Sequence, residues 1–123
     1  MKEVWKNINQ HYLISNLGNV KSLKCKNGKA YGEKYSHLLK PIKKKHGYFE
    51  VYVGKFRLVH RLVAEAFIEK IEGKEYIDHI DNNKNNNCVD NLRWVSMEEN
   101  NRYRYEDGRA NQYTLYKQKN KPI

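Results

Sequence analysis

The chain has 123 residues, with 24 Lys or Arg against 14 Asp or Glu, so its formal net charge is +10. This length suits one domain with a modest core. The sequence lacks both an apolar run that could cross a membrane and the apolar stretch of a secretory signal. We therefore expect a cytoplasmic protein without a membrane partner that binds a polyanion.

The positive charge is concentrated in the first half of the chain. Residues 1–60 contain 13 Lys or Arg and 3 Asp or Glu, whereas residues 61–123 contain 11 of each. The densest run is Lys43, Lys44 and Lys45. The ten tyrosines add ring faces and hydroxyl groups that suit phosphate, sugar and base contacts. These features favour nucleic acid over the alternative of a merely solvated basic face.

The two cysteines, Cys25 and Cys88, lie far apart in the sequence. Structural zinc sites use four ligands, usually with closely spaced cysteine pairs, so no structural zinc is expected. We expect free thiols in a reducing compartment, with a single disulfide as the lesser alternative.

The first predicted element is a β-hairpin. Residues 12–15 and 20–23 are its strands, and the turn residues 16–19, Asn-Leu-Gly-Asn, join them. The polar residues 24–37 are predicted to form a long loop, and residues 47–53 alternate like a half-buried strand.

The segment after that strand changes from a strand period to a helical one. Gly54 and Lys55 predict a turn, and residues 56–59 predict the returning strand. A helix is expected from His60 to about Lys70, with His60 as a capping or packing residue. Its apolar stripe consists of Val59, Leu62, Val63, Ala66 and Phe67.

The second half of the chain predicts a strand, a polar loop, a second strand and a helix. Residues 75–80 and 92–96 are the strands, and the loop contains five asparagines between positions 82 and 87. Ser96 and Glu99 form a capping box, so a helix begins there and ends before Gly108. Trp5 and Trp94 are expected in the core.

Four polar side chains of this segment are predicted to converge. Asp78 and His79 end the first strand, Asn91 precedes the second, and Asn100 lies one turn into the helix. The oxygens of Asp78 and Asn100 suit a hard divalent cation, with Asn101 as the alternative to Asn100. His79 suits proton transfer, and the oxygen of Asn91 suits holding its ring. Since neighbours in a flat strand face opposite ways, the backbone must leave regular strand near Asp78 and His79.

An EF-hand is the competing interpretation of the asparagine-rich loop. Asp81, Asn83 and Asn85 have the one-three-five spacing of such a loop. Position six is Asn86 rather than Gly and position twelve is Leu92 rather than Glu, so this type of calcium site is excluded.

Three stretches resemble HNH endonucleases, the ββα-metal nucleases, and in particular their phage and intron-encoded homing branch. IDHIDNNKNNNCVDNLRWVSMEEN resembles the nuclease motif, VHRLVAEAF the helix before it, and VWKNINQHYLISNLGNVKSL an N-terminal nuclease-associated modular DNA-binding motif. The usual Gly after Ile-Asp is Asn82 here, and Asn tolerates the left-handed conformation. The C-terminal DNA-reading module of longer relatives is missing or reduced to residues 105–123.

This resemblance implies an α+β fold: a small N-terminal hairpin module, then a β-hairpin and helix, then a ββα-metal motif. It implies domain bounds of 1–45 for the DNA-binding module, 46–105 for the nuclease core and 106–123 for a basic, disordered tail. It further implies hydrolysis of duplex DNA with one Mg²⁺ or Mn²⁺ ion. Its general base maps to His79, its middle motif residue to Asn91, and its metal ligands to Asp78 and Asn100.

The resemblance also implies a mobile-element or phage origin, a bacterial host cytoplasm and a monomer that nicks one strand. A dimer is the alternative if both strands are cut, and a catalytically inactive DNA- or RNA-binding protein is the alternative function. The candidate phosphate contacts are all basic residues: Lys21, Lys43, Lys44, Lys45, Arg57, Arg61, Arg93 and Arg102.

Overall fold

The structure is a computed structural model and describes residues 1–106. The predicted C-terminal tail lies outside the described residues except for Glu106, which ends a helix. The described residues form β-strands and two α-helices in an α+β arrangement, as predicted. Among residues 1–106, none of the helices is both long enough and apolar enough to cross a membrane.

The N-terminal segment forms a four-stranded antiparallel sheet in the order β1-β2-β3-β4. Its strands are β1 (Trp5–Asn7), β2 (Tyr12–Ser15), β3 (Val20–Ser22) and β4 (His37–Leu38). The predicted hairpin is confirmed as β2 and β3, with Ile14 opposite Val20. The prediction of one long loop over residues 24–37 is wrong, because a 3-10 turn (Glu33–Tyr35) and the start of β4 fall within it.

The next three strands form a second antiparallel sheet that leads directly into the first helix. They are β5 (Ile42–Lys43), β6 (Phe49–Tyr52) and β7 (Phe56–Leu58), followed by α1 (Val59–Phe67). The predicted turn at Gly54 is confirmed, and its φ of +96° is a conformation that glycine adopts readily. The helix begins at Val59, one residue before its predicted start.

The last three elements are β8 (Tyr76–His79), β9 (Leu92–Val95) and α2 (Met97–Glu106). The two strands pair so that Asp78 lies opposite Arg93. The predicted capping box is confirmed: the Glu99 amide donates to Ser96 Oγ at 3.1 Å, and the Ser96 amide donates to Glu99 Oε1 at 3.0 Å. These bonds satisfy two donors that the first turn leaves unpaired, so they fix where α2 begins.

One hydrophobic core joins all three sheets to α1. It is formed by Tyr12, Ile14, Val20, Val51, Val53, Val59, Leu62, Val63 and Leu92. Burying each large apolar side chain contributes about 1.5–3 kcal/mol. Trp94 is buried as predicted. The prediction that Trp5 lies in the core is wrong, because its side chain is only partly buried. Lys21 Nζ lies over the Trp5 ring, 4.5 Å from the ring centre.

Candidate active site

A cleft of about 440 Å³ lies between β8, the loop after it and α2. Asp78, His79 and Asn100 all face it, so the structure brings three of the four predicted site residues together. Asn101 is exposed on the same helix and is not among the described lining residues. The described lining residues are Tyr48, Ile77, Asp78, His79, Asn82, Lys84, Asn100 and Arg104.

His79 is the last residue of β8 and is only 5% exposed. Its Nε2 lies 2.8 Å from Oδ1 of Asn87. An amide oxygen can only accept a hydrogen bond, so Nε2 carries the hydrogen and the neutral ring has its lone pair at Nδ1. Burial lowers the pKa of His79, although the hydrogen bond from Nε2 to Asn87 opposes this effect. The ring is therefore neutral near pH 7 and able to accept a proton.

Two further rings surround His79. His60 lies 5.0 Å from it and Tyr48 5.9 Å from it, measured between ring centres. His60 is 7% exposed, and burial with the nearby His79 lowers its pKa to about 3. His60 is therefore a neutral packing residue, as expected, and helps to exclude water from one side of His79.

Asp78 supplies the carboxylate among the described lining residues of the cleft and is 2% exposed. Arg93, opposite it on β9, places Nη2 2.8 Å and Nε 2.9 Å from Asp78 Oδ2. The guanidinium also lies 3.8 Å from the centre of the Tyr103 ring on α2. The strand register thus positions Arg93 to compensate a buried negative charge, a contact that sequence analysis did not predict.

The asparagine-rich loop is held by Asp81 and Asn91. The Asn91 amide group donates to Asp81 Oδ1 at 2.8 Å and to the Asn86 carbonyl at 2.9 Å. Its oxygen accepts the backbone N–H of Asp81 at 2.9 Å. Asp81 also accepts from the Asn86 side chain and the Asn83 backbone, and these bonds lower its pKa.

The predicted role of Asn91 therefore needs correction. We expected its side-chain oxygen to hold the ring of His79, but that oxygen accepts the backbone N–H of Asp81. The side-chain amide that contacts Nε2 of His79 is that of Asn87. The physical reason is the tight turn after β8, which brings Asp81 back to the 3-10 turn Val89–Asn91. Asn82 makes this turn possible with φ of +62°, in agreement with the expected left-handed conformation.

Three of the four arginines predicted to contact phosphate have acidic partners outside the cleft. Arg57 hydrogen-bonds to Glu65, and Arg61 Nε lies 3.7 Å from the same carboxylate. Arg102 Nε lies 3.6 Å from Glu106. These surface pairs are weak and exchange readily with other anions, so the residues stay candidate DNA contacts.

The predicted lysine contacts lie on the two N-terminal sheets. Lys43 and Lys45 are exposed near β5. Lys44 Nζ lies 5.4 Å from the centre of the Phe56 ring, and Lys21 covers Trp5. None of these described contacts pairs a lysine ammonium group with a carboxylate. That these lysines contact nucleic acid stays a prediction.

Two cations that the sequence analysis missed line the cleft, Lys84 and Arg104. Lys84 Nζ donates to the His46 carbonyl at 2.9 Å and lies 4.6 Å from the centre of the Tyr48 ring. Lys84 stands inside the asparagine run, so only the path of the folded loop reveals which way it faces. Together with Arg104 it gives the cleft positive charge that suits a phosphate group.

The oxygen donors of the cleft fit a hard divalent cation. Asp78 supplies a carboxylate and Asn100 an amide oxygen, which are ligand types of Mg²⁺ and Mn²⁺. Within residues 1–106, no group of three or more His, Cys, Asp or Glu is arranged to bind a metal. Such a cation would therefore be held by few protein ligands, with phosphate and water completing its shell, as is usual for Mg²⁺.

Residues 57–102 match the HNH endonuclease family. The chain is 40% identical over 97 residues to DNA endonuclease I-HmuI of Bacillus phage SP01, covering 76% of this chain and 52% of that protein. It is 35% identical over 97 residues to the uncharacterized HNH endonuclease L245 of Acanthamoeba polyphaga mimivirus, covering 75% of this chain and 26% of that protein. The chain thus spans between a quarter and about half of these curated relatives.

The fold also matches a solved structure of the HNH homing endonuclease I-HmuI, a protein that binds and cleaves DNA. The TM-score is 0.69 at 36% sequence identity, and the match covers 93% of this chain and 64% of that one. The likeness therefore extends beyond the segment matched by the family and includes the N-terminal sheet.

Proposed function

Because this chain belongs to the HNH endonucleases and is related to the phage homing enzymes, we propose that it is a metal-dependent endonuclease that nicks duplex DNA. The observation that carries this proposal is the convergence of Asp78, His79 and Asn100 on one cleft that also contains two cations. The chemistry these groups support is hydrolysis of a phosphodiester bond.

His79 is the proposed general base. Its lone pair at Nδ1 would accept a proton from the attacking water while Asn87 holds Nε2. The lowered pKa keeps the ring unprotonated at neutral pH, so it is ready to accept that proton. His60 and Tyr48 hold the ring by packing and keep it from rotating.

The substrate phosphate would sit between Lys84 and Arg104, which supply two positive charges at the cleft. Asp78 and Asn100 would hold one Mg²⁺ or Mn²⁺ ion, and Arg93 orients the carboxylate of Asp78. When bound, this ion would stabilise negative charge on the phosphate and on the departing 3′ oxygen. Asn91 contributes indirectly, since it keeps the loop around Asp81 closed.

The remaining parts of the proposal concern how DNA is held. Residues 1–45, with Lys21 and the Lys43 to Lys45 run, would bind the duplex, and residues 46–105 would cut it. Arg57, Arg61 and Arg102 are proposed to exchange their surface carboxylates for phosphates. One such cleft attacks one strand, so a monomer acting in the host cytoplasm would release nicked DNA with a 5′ phosphate.

The test is nicking of a supercoiled plasmid with Mg²⁺ or Mn²⁺, comparing the wild-type chain with His79→Ala and adding a chelator as a control. We expect open circles that require the metal, and a loss of about 10²- to 10⁴-fold in rate for the variant. Gel-shift binding should be retained in the variant, because the base does not hold the duplex.

Binding without cleavage under either metal would contradict the proposal and favour a catalytically inactive DNA- or RNA-binding protein. Preference for single-stranded RNA over duplex DNA in the same binding assay would identify the RNA-binding version of that alternative. Cleavage by His79→Ala at the wild-type rate would leave the nuclease activity standing and remove His79 as its base.

A further inference from the structure

Asn87 contacts both His79 at the cleft and the turn between β2 and β3. It is 8% exposed, and its Oδ1 accepts the hydrogen bond from Nε2 of His79 at 2.8 Å. It stands at the end of the asparagine-rich loop, just before the 3-10 turn Val89–Asn91. The position of this amide therefore contributes to holding the ring of His79, together with the packing of His60 and Tyr48.

The turn between β2 and β3 packs directly behind Asn87. Gly18 has φ of +88°, and a Cβ atom placed there would lie 3.0 Å from both Cβ and the carbonyl oxygen of Asn87. That separation is tighter than nine in ten real Cβ contacts, and the positive φ strains any residue with a side chain, so glycine suits this close approach of the turn to Asn87. Next to this contact, the Val89 N–H donates to the Asn16 carbonyl at 2.8 Å.

The turn itself is held firmly. The side chain of Asn16 accepts the Val4 N–H at 2.8 Å and donates to the Lys2 carbonyl at 3.0 Å. The Ser15 hydroxyl accepts the backbone N–H of Asn19 at 3.0 Å. Asn16 and Ser15 are both buried, so water competes little for these bonds.

We propose that the N-terminal turn, residues 15–19, is a positioning element for the catalytic base, acting through Gly18 and Asn87. This inference rests on the proposed nuclease function and gives the N-terminal hairpin a task beyond binding DNA. The turn holds Asn87 in place, and Asn87 holds Nε2 of His79, so the turn contributes to the orientation of the ring at the cleft. Gly18 and Asn87 are positioning residues, because neither lines the described cleft.

The first experiment separates the hydrogen bond from the bulk of Asn87. Asn87→Leu keeps a similar size without an acceptor, and Asn87→Asp keeps an acceptor oxygen. In the wild type, ¹H–¹⁵N spectra should contain a His79 Nε2–H resonance protected from solvent exchange. We expect that protection to be lost in the Leu variant and retained in the Asp variant. The Leu variant should lose about 10- to 100-fold in kcat, with KM nearly unchanged.

The second experiment tests the turn. Gly18→Ala requires the turn and Asn87 to shift apart by a few tenths of an ångström. Gly28→Ala, at a φ of +74°, meets nothing within 4 Å and controls for backbone strain alone. We expect Gly18→Ala to weaken the protection of the His79 Nε2–H and to lower kcat by about 10-fold or more. Gly28→Ala should retain both. Circular dichroism checks that each variant is folded.

The outcomes separate this inference from the proposed function. A wild-type chain that never nicks DNA but protects the His79 Nε2–H overturns the nuclease proposal and leaves the support of the ring by the turn intact. A wild-type chain that nicks DNA while Asn87→Leu and Gly18→Ala match it in kcat and protection overturns the inference. Equal losses in Gly18→Ala and Gly28→Ala would likewise overturn it, because backbone strain alone would then account for the effect.

Discussion

Two nitrogens of Arg93 lie within 2.9 Å of a single carboxylate oxygen of Asp78. The carboxylate is almost completely buried, whereas the side chain of Arg93 is 35% exposed. Removing the partner of a buried charge is more costly than removing an exposed pair. Arg93→Met should therefore lower the free energy of unfolding by about 1–3 kcal/mol, after discounting for the exposure of the guanidinium.

Urea denaturation in the absence of divalent metal measures this loss. Arg102→Met is the matched control, since its partner Glu106 and Arg102 itself are both more than half exposed. The control should change stability by less than about 0.5 kcal/mol. Equal effects of the two substitutions would mean that the interaction with Asp78 contributes no more than a surface pair.

Metal binding should depend on Asp78 and Asn100. A ligand that binds only the folded state raises its stability by mass action, so Mn²⁺ should raise the Tm of the wild-type chain. Asp78→Asn and Asn100→Ala should abolish most of that rise in Tm. Asn101→Ala, at the exposed neighbouring position, is the control and should retain it. A rise that persists in Asn100→Ala and disappears in Asn101→Ala would transfer the ligand role to Asn101. Thermal melts with and without Mn²⁺ make the comparison.

Lys84 should contribute to phosphate binding because this cationic residue lines the cleft. Lys84→Met should reduce kcat/KM for nicking by about 10-fold, as expected when one charged hydrogen bond is removed. The slope of log binding constant against log salt should become shallower by about 0.9 for each phosphate that the protein no longer neutralises. Lys55→Met, at an exposed turn position that is not among the described lining residues of the cleft, should change neither quantity.

Acid should destabilise the protein before its carboxylates titrate. Burial lowers the pKa of His60 to about 3, and the nearby His79, Arg61 and His46 contribute to this shift. Between that pKa and the ordinary value near 6.5, the unfolded chain binds a proton that the folded chain does not. Stability therefore falls as pH drops below about 6.5, by up to about 1.4 kcal/mol per pH unit for His60. His79, whose pKa is also lowered, adds to this loss.

Urea denaturation at pH 7.5, 6.5 and 5.5 tests this dependence. Replacing His60 by Phe keeps a ring against Tyr48 and His79 but removes its titration. We expect the loss of stability between pH 6.5 and 5.5 to be smaller in His60→Phe than in the wild type, with His79 contributing to the loss that remains. An unchanged loss in His60→Phe would show that His60 is not the titrating group.

The parts of the fold that were predictable have causes within a few residues of sequence. The Ser96 and Glu99 capping box fixes the start of α2 by bonds between residues three apart. The hairpin of β2 and β3 follows from its turn residues and alternation. By contrast, β1 and β5 have only three and two residues, which is too short for any hydrophobic period to be recognised.

The site was predictable in its membership but not in its hydrogen bonds. Asp78, His79 and Asn100 share the cleft as expected. Several neighbouring asparagines have the same side chain, so the sequence does not indicate that Asn87 rather than Asn91 reaches His79. That choice depends on the register of β8 with β9 and on the N-terminal turn behind the loop. The pairing of Arg93 with Asp78 depends on the same register.

The shared core has a consequence for how such a chain can change over generations. Ile14 and Val20 from the N-terminal hairpin pack in the same cluster as Leu62 and Val63 from α1. A hairpin transplanted from another protein would have to match that apolar surface in addition to any surface through which the hairpin binds DNA. Recombination near residue 45, the predicted domain boundary, would therefore yield a folded hybrid only when the apolar surfaces of the two halves match. The two segments are therefore expected to be inherited together.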